Sequence, residues 1–119
     1  MKTVFRYEHQ YNPILKYGIG PYQSEWKYNS MLCDSHSDDL FYPTIGVDIL
    51  NRDKIGGTTL CGCESLEKLK MWFIEYDFNS KLVQNGFELV KYTVSELMET
   101  KSGKQVAFDP SHIIEREVL

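Results

Sequence analysis

The stretch Phe87–Pro110, FELVKYTVSELMETKSGKQVAFDP, decides the fold. Its first half alternates: Val90, Tyr92 and Val94 fall on one face, Lys91 and Thr93 on the other, the period-two pattern of a half-buried strand. Ser102 and Gly103 supply a turn. QVAFD (105–109) then reads as a short second strand, closed by Pro110, and as the hairpin partner of the first.

N-terminal to this hairpin the period changes. In ESLEKLKMWFIEY (64–76), Leu66, Leu69, Trp72, Phe73 and Tyr76 recur at spacings of three and four, while Glu64, Glu67, Lys68 and Lys70 cover the opposite arc. Ser65 is placed to cap this helix. A shorter helix follows in FNSKLVQNG, with Asn79 or Ser80 as its cap and Gly86 in the left-handed position past its end. At the start of the chain Thr3 to His9 alternate as a strand, with Phe5, Tyr7 and His9 on one face and Val4, Arg6 and Glu8 on the other. Between that strand and the helices, residues 13–57 are repeatedly broken by Gly and Pro, and read as loops with short strands or helical turns. The order predicts one α+β domain over residues 1–119. Its small antiparallel sheet, the N-terminal strand plus the C-terminal hairpin, packs with one long and one short helix.

With 119 residues the chain can bury a core without disulfides or metal. Seventeen acidic against thirteen basic side chains give a net charge of −4, and no basic run is dense enough to neutralise several phosphates, so direct nucleic-acid binding is excluded. An acidic surface suits a basic groove on a protein partner better. No run of 18 apolar residues predicts a membrane span, and MKTVFRYEHQYN has no signal-peptide core. Three cysteines cannot all pair, which points to a reducing compartment and hence the cytoplasm.

Few motifs carry chemistry. Cys33 and His36 (C-x2-H) with Cys61 and Cys63 (C-x-C) offer four soft ligands in two pairs, but the spacing departs from zinc-knuckle patterns, and the expectation is plain thiols with no bound metal. His36, Asp38 and Asp39 form a secondary candidate site, a carboxylate-oriented base, against the simpler reading of a solvated loop. YGIGPY lacks both the G-x-G-x-x-G pattern and a phosphate-loop lysine, and no G-x-S-x-G elbow occurs. Nothing here calls for a cofactor.

Taken together, YEH (7–9), GIGPY (18–22), CGCESLEKLKMWF (61–73), NGFELVKYTV (85–94) and GKQVAFD (103–109) resemble a family of small proteins encoded by phages and prophages. In motif order the chain is also distantly similar to mono-ADP-ribosyltransferases. That similarity implies that Arg6 or His9 on the first strand helps hold NAD, that CGCES leads into a helix, and that Gln105 stands where the catalytic glutamate would be. An amide hydrogen-bonds but brings no negative charge to a developing oxocarbenium ion, so the resemblance implies a binding pocket with weak or absent chemistry. Arg6, His9 and Gln105 are therefore the candidate ligand-binding residues, with Gln105 expected to share a cleft with Arg6 or His9 while Val106 and Phe108 pack on the other face. The expected function is that of a non-enzymatic phage accessory protein. It would act against a host defence by binding a defence protein or sequestering a nucleotide-like small molecule. The alternatives are an active NAD-using ADP-ribosyltransferase, with Asp109 or Glu115 replacing the missing acid, and a virion or structural component.

Overall fold

The central pair of strands is β1 (Lys2–Asn12) and β4 (Glu88–Val94), antiparallel and in register from Lys2 opposite Val94 to Glu8 opposite Glu88. These assignments come from a computed structural model that describes residues 1–37, 42, 45–48, 50, 56 and 58–119. β2 (Tyr17–Ile19) folds back on the far end of β1, and β7 (Ile113–Val118) lies on the other edge of β4, giving the order β2-β1-β4-β7. A second antiparallel sheet holds β3 (Leu60–Gly62), β5 (Met98–Glu99) and β6 (Val106–Phe108) in the order β3-β6-β5. The helical segments are α1 (Asn29–Ser37), the single turn α2 (Ile45–Asp48), α3 (Leu66–Trp72) and α4 (Phe78–Gln84). The class is α+β with antiparallel sheets, as expected.

The partner of QVAFD is not. The turn at Ser102 and Gly103 is present, with Gly103 at φ 69°, but it joins β6 to the short β5, whereas β4 pairs with β1 and β7. Val106, Ala107 and Phe108 are all buried, so β6 is covered on both faces and cannot be the amphipathic edge that a two-stranded reading requires. β7 itself carries no legible alternation. It is an edge strand rich in charge, a common protection against edge-to-edge pairing, and its inward anchor is Arg116.

Alternation along β1 divides the interior in two. Val4 joins Val90, Tyr92, Val94, Val106 and Phe108 between the two sheets. Tyr7 joins Leu69, Trp72, Phe73, Phe78 and Leu82 on the helical side. Both faces of β1 are thus covered, and the charged Arg6 and Glu8, which share a face with Val4, are only 5% and 1% exposed. The sheets are stitched where Phe5 and Cys63 exchange backbone hydrogen bonds of 2.7 and 2.8 Å. Gly62 permits that approach, since a Cβ there would stand 2.5 Å from Val4 Cγ1 and 2.6 Å from the Phe5 carbonyl oxygen.

α3 is capped by the Ser65 hydroxyl, which accepts from Lys68 N at 3.1 Å. Leu69, Trp72 and Phe73 are buried as the spacing predicts, but Leu66 (37%) and Tyr76 (58%) are exposed. The helix ends at Trp72, and the chain then passes through left-handed Tyr76 and Asp77 before Phe78 and Leu82, both fully buried in the same core. Asn79 does not cap α4. Its amide donates to the Lys70 carbonyl at 2.9 Å, and its Oδ1 accepts from Tyr7 Oη at 2.8 Å. Gly86 follows α4 with φ 89°, as the sequence suggests. Among the described residues no helix is long and apolar enough to cross a membrane.

Candidate functional site

The edge of β1 away from β4 has two partners with a gap between them. Cys63 pairs at Phe5, and β2 pairs from His9 onward. The Arg6 guanidinium spans the gap, with Nη1 3.5 Å from the Cys61 carbonyl oxygen and Nη2 3.4 Å from that of Gly18. Beside it lies a cavity of about 340 Å³, within the range of small-molecule sites. Its walls come from the Gly20–Gln23 loop, β3, Leu69 and Trp72 of α3 and the Phe73 that follows it, with Gln105 contributing from just before β6. Arg6 and Gln105, far apart in sequence, line one cavity.

The loop wall is held in place by its own hydrogen bonds. The Pro21 carbonyl accepts from Trp26 Nε1 at 2.8 Å and from Asn29 Nδ2 at 3.0 Å. Tyr22 Oη accepts from Trp72 Nε1 at 2.7 Å, joining the loop to α3. Burial pushes the Tyr22 phenol far above its usual range, so this hydroxyl remains neutral.

Behind Arg6 sits a buried ionic network. Glu8 Oε1 accepts from Arg116 Nη2 at 2.7 Å and Nε at 2.9 Å, and both carboxylate oxygens are 2.8 Å from Tyr92 Oη. Arg6 Nε is 3.1 Å from Glu8 Oε2, at ion-pair distance but without the alignment of a hydrogen bond. Two guanidinium groups share one carboxylate, and Arg116 holds the better geometry while also stacking 4.0 Å over the Tyr11 ring. Burial first, then the Glu8 carboxylate, raises the Tyr92 phenol well above its usual range.

At the other end, Gln105 Nε2 donates to Asp48 Oδ2 at 3.0 Å, and the Asp48 carboxylate also accepts from Ser102 N and Ser102 Oγ, each at 2.7 Å. Burial works to raise the Asp48 carboxyl. The hydrogen bonds from Ser102 and Gln105 outweigh it and hold the group below the ordinary aspartate value. The cavity also carries thiols: burial pushes Cys61 up to about 11 and Cys63 up to about 12, so neither is a thiolate near neutrality. Among the described residues no group of three or more His, Cys, Asp or Glu side chains is placed to hold a metal ion.

A family model described as the bacteriophage T4 Y00F protein matches residues 1–118. The chain belongs to the bacteriophage T4 Y00F protein family. It is thus a member of a phage-encoded family, which suggests a phage accessory protein. No curated protein and no solved structure matches the chain.

Within this family member the other candidate residues fall as follows. His9 does not line the cavity. Its ring stacks on Phe87 with centroids 4.3 Å apart, its Nε2 is hydrogen-bonded to Ser24 Oγ, and burial lowers its pKa. His36 is 1% exposed and stacked on Trp72 at 5.3 Å, with Nδ1 3.0 Å from the Tyr42 carbonyl oxygen. Asp38 and Asp39 lie outside the described residues. Asp109 caps the 3-10 turn Pro110–His112 by accepting from Ser111 N, and Glu115 is exposed on β7, so neither stands at the cavity beside Gln105.

Two parts of the site escaped the sequence reading. The GPY segment looked like backbone punctuation, yet its Tyr22 is a cavity wall. The Tyr-Gln-Ser-Glu-Trp run after it was the available signal, because closely spaced aromatics with polar tips mark places where one end packs and the other finds a donor or acceptor. Asp48 stands alone among apolar neighbours in IGVDIL, the pattern of a buried, satisfied carboxylate.

Proposed function

We propose that this protein is a phage accessory protein that interferes with a host defence by sequestering a small nucleotide-like molecule, held in the cavity between Arg6 and Gln105 and not turned over. The observation that supports this reading most is that the buried Arg6 and Gln105, from opposite ends of the chain, line one cavity whose other walls are largely apolar and aromatic. That combination follows the general form of small-ligand sites, where apolar surface gives affinity and a few polar groups fix orientation. In this reading His9 has a positioning part: through Ser24 it steadies the loop that carries Pro21 and Tyr22. His36 backs Trp72 in the same way.

The NAD-using alternative has one observation in its favour, a carboxylate 3.0 Å from the Gln105 amide. That carboxylate, Asp48, already accepts hydrogen bonds from Ser102 and Gln105, which leaves it poorly placed to stabilise a developing cation. Mixing the protein with a small-molecule extract of host cells, isolating it by gel filtration and analysing what it releases on denaturation tests the reading. An intact nucleotide-like compound is expected. Its products, or labelled protein after incubation with NAD labelled in the ADP-ribose moiety, would favour an enzyme instead.

A further inference from the structure

Arg6 is a cation in deficit. Its side chain is 6% exposed, Nε has no aligned acceptor, and the two terminal nitrogens reach carbonyl oxygens only at 3.4 and 3.5 Å. The carboxylate that should neutralise it is engaged more closely by Arg116 and Tyr92. A buried guanidinium needs both charge compensation and full hydrogen bonding. Arg6 also lines the cavity, where a ligand can supply what these partners do not.

The same surroundings limit what can enter. Among the described residues that line the cavity, Arg6 is the one cationic side chain and none is a carboxylate. A first negative charge on a ligand meets the guanidinium. A second would find no further cation among those described lining residues, and Glu8 stands 3.1 Å behind Arg6 Nε. A neutral ligand would leave Arg6 as it is. The walls formed by Tyr22, Trp72, Phe73 and Leu69 accept a flat apolar body.

We infer that the cavity selects aromatic ligands carrying a single negative charge, which Arg6 binds, over neutral and multiply charged relatives. This deepens the proposed function and rests on it. The shared chemistry is a monoanionic oxygen group, available either as a phosphodiester or as a carboxylate. Charge-assisted hydrogen bonds of this kind correspond to about tenfold to a hundredfold in affinity.

Calorimetric titration at pH 7.5 with adenosine, 3′,5′-cyclic AMP, AMP, ATP and 1-naphthoate tests it on the unmodified protein. The inference expects cyclic AMP or 1-naphthoate, the monoanions, to bind at least about tenfold more tightly than the neutral and multiply charged probes. Cyclic AMP ahead of naphthoate identifies a phosphodiester ligand; the reverse order identifies a carboxylate and removes the nucleotide-like reading while the charge rule stands. Adenosine binding as tightly as cyclic AMP, or ATP more tightly, overturns the charge rule and leaves nucleotide sequestration intact. If none of the probes binds, both readings fall. Arg6→Gln should bring cyclic AMP down to the affinity of adenosine. A retained preference in that variant overturns the assignment to Arg6, and if it does not fold the titrations of the unmodified protein still decide.

Discussion

Glu8→Gln is the substitution whose consequence the network makes most definite. The variant keeps the shape of the side chain and a hydrogen-bonding oxygen, but leaves Arg6 and Arg116 facing a neutral amide in a site where Glu8 is 1% exposed. Removing one member of a buried ion pair costs about 3–5 kcal/mol because the remaining charge is uncompensated. Here two cations lose their counterion, and Arg116 is also the inward anchor of β7. The total stability of a domain this size is only ~5–15 kcal/mol, so the loss is a large share of it. Urea unfolding followed by tryptophan fluorescence gives the number directly. With a slope of ~1–3 kcal/mol per molar, the midpoint should fall by roughly 1–5 M. Glu8→Gln combined with Arg116→Met should recover part of the loss, since one of the unpaired charges goes too. A loss below about 1 kcal/mol, the level of an exposed surface pair, would refute the view that this network is a buried, interdependent unit.

Three further outcomes follow from the same structure. Trp72→Ala removes a 4%-exposed indole that donates to Tyr22 and stacks on His36, and should cost ~3–5 kcal/mol by urea unfolding. The Asp48 carboxyl is depressed in the folded state, so it stabilises the fold fully above the ordinary aspartate range and loses that contribution as pH falls through the depressed value; Asp48→Asn should flatten this acid limb in a pH series of unfolding free energies. At pH 8 the raised values of Cys61 and Cys63 leave little thiolate, so iodoacetamide should modify them slower than a free cysteine, by roughly two orders of magnitude at Cys61 and about three at Cys63, until the protein is denatured.

What could be read in the sequence followed from strong local periodicity. β1, β4, the Ser65-capped helix and the glycine after α4 each carry their own pattern over several residues. β4 and QVAFD look like a hairpin because they are the two best strand patterns nearest one another, but the pairing was decided by burial on both faces of β6, a tertiary fact with no local signature. β7 stayed hidden because it has no alternation of its own: it is held by its ladder with β4 and by a long-range ion pair, Arg116 to Glu8, 108 residues apart in the chain. The site was legible only in part. Arg6 and Gln105 were named from motif order, whereas Asp48 and Tyr22 depend on which loops the fold brings against which strands. His9 and Arg6 looked interchangeable in sequence; the fold sets His9 against Phe87 and Ser24 and leaves Arg6 at the cavity.

The most direct measurement is the nitrogen-15-edited proton spectrum of the arginine Nε–H and tryptophan Nε1–H groups during titration with 3′,5′-cyclic AMP. The account predicts saturable shifts of Arg6 Nε–H and of Trp72 Nε1–H, reporters on two residues that line the cavity, with Arg116 Nε–H moving less because its acceptor Glu8 is already close. Saturable binding by calorimetry with the Arg6 and Trp72 signals unmoved would place the ligand elsewhere on the molecule and contradict the assignment of this cavity as the site.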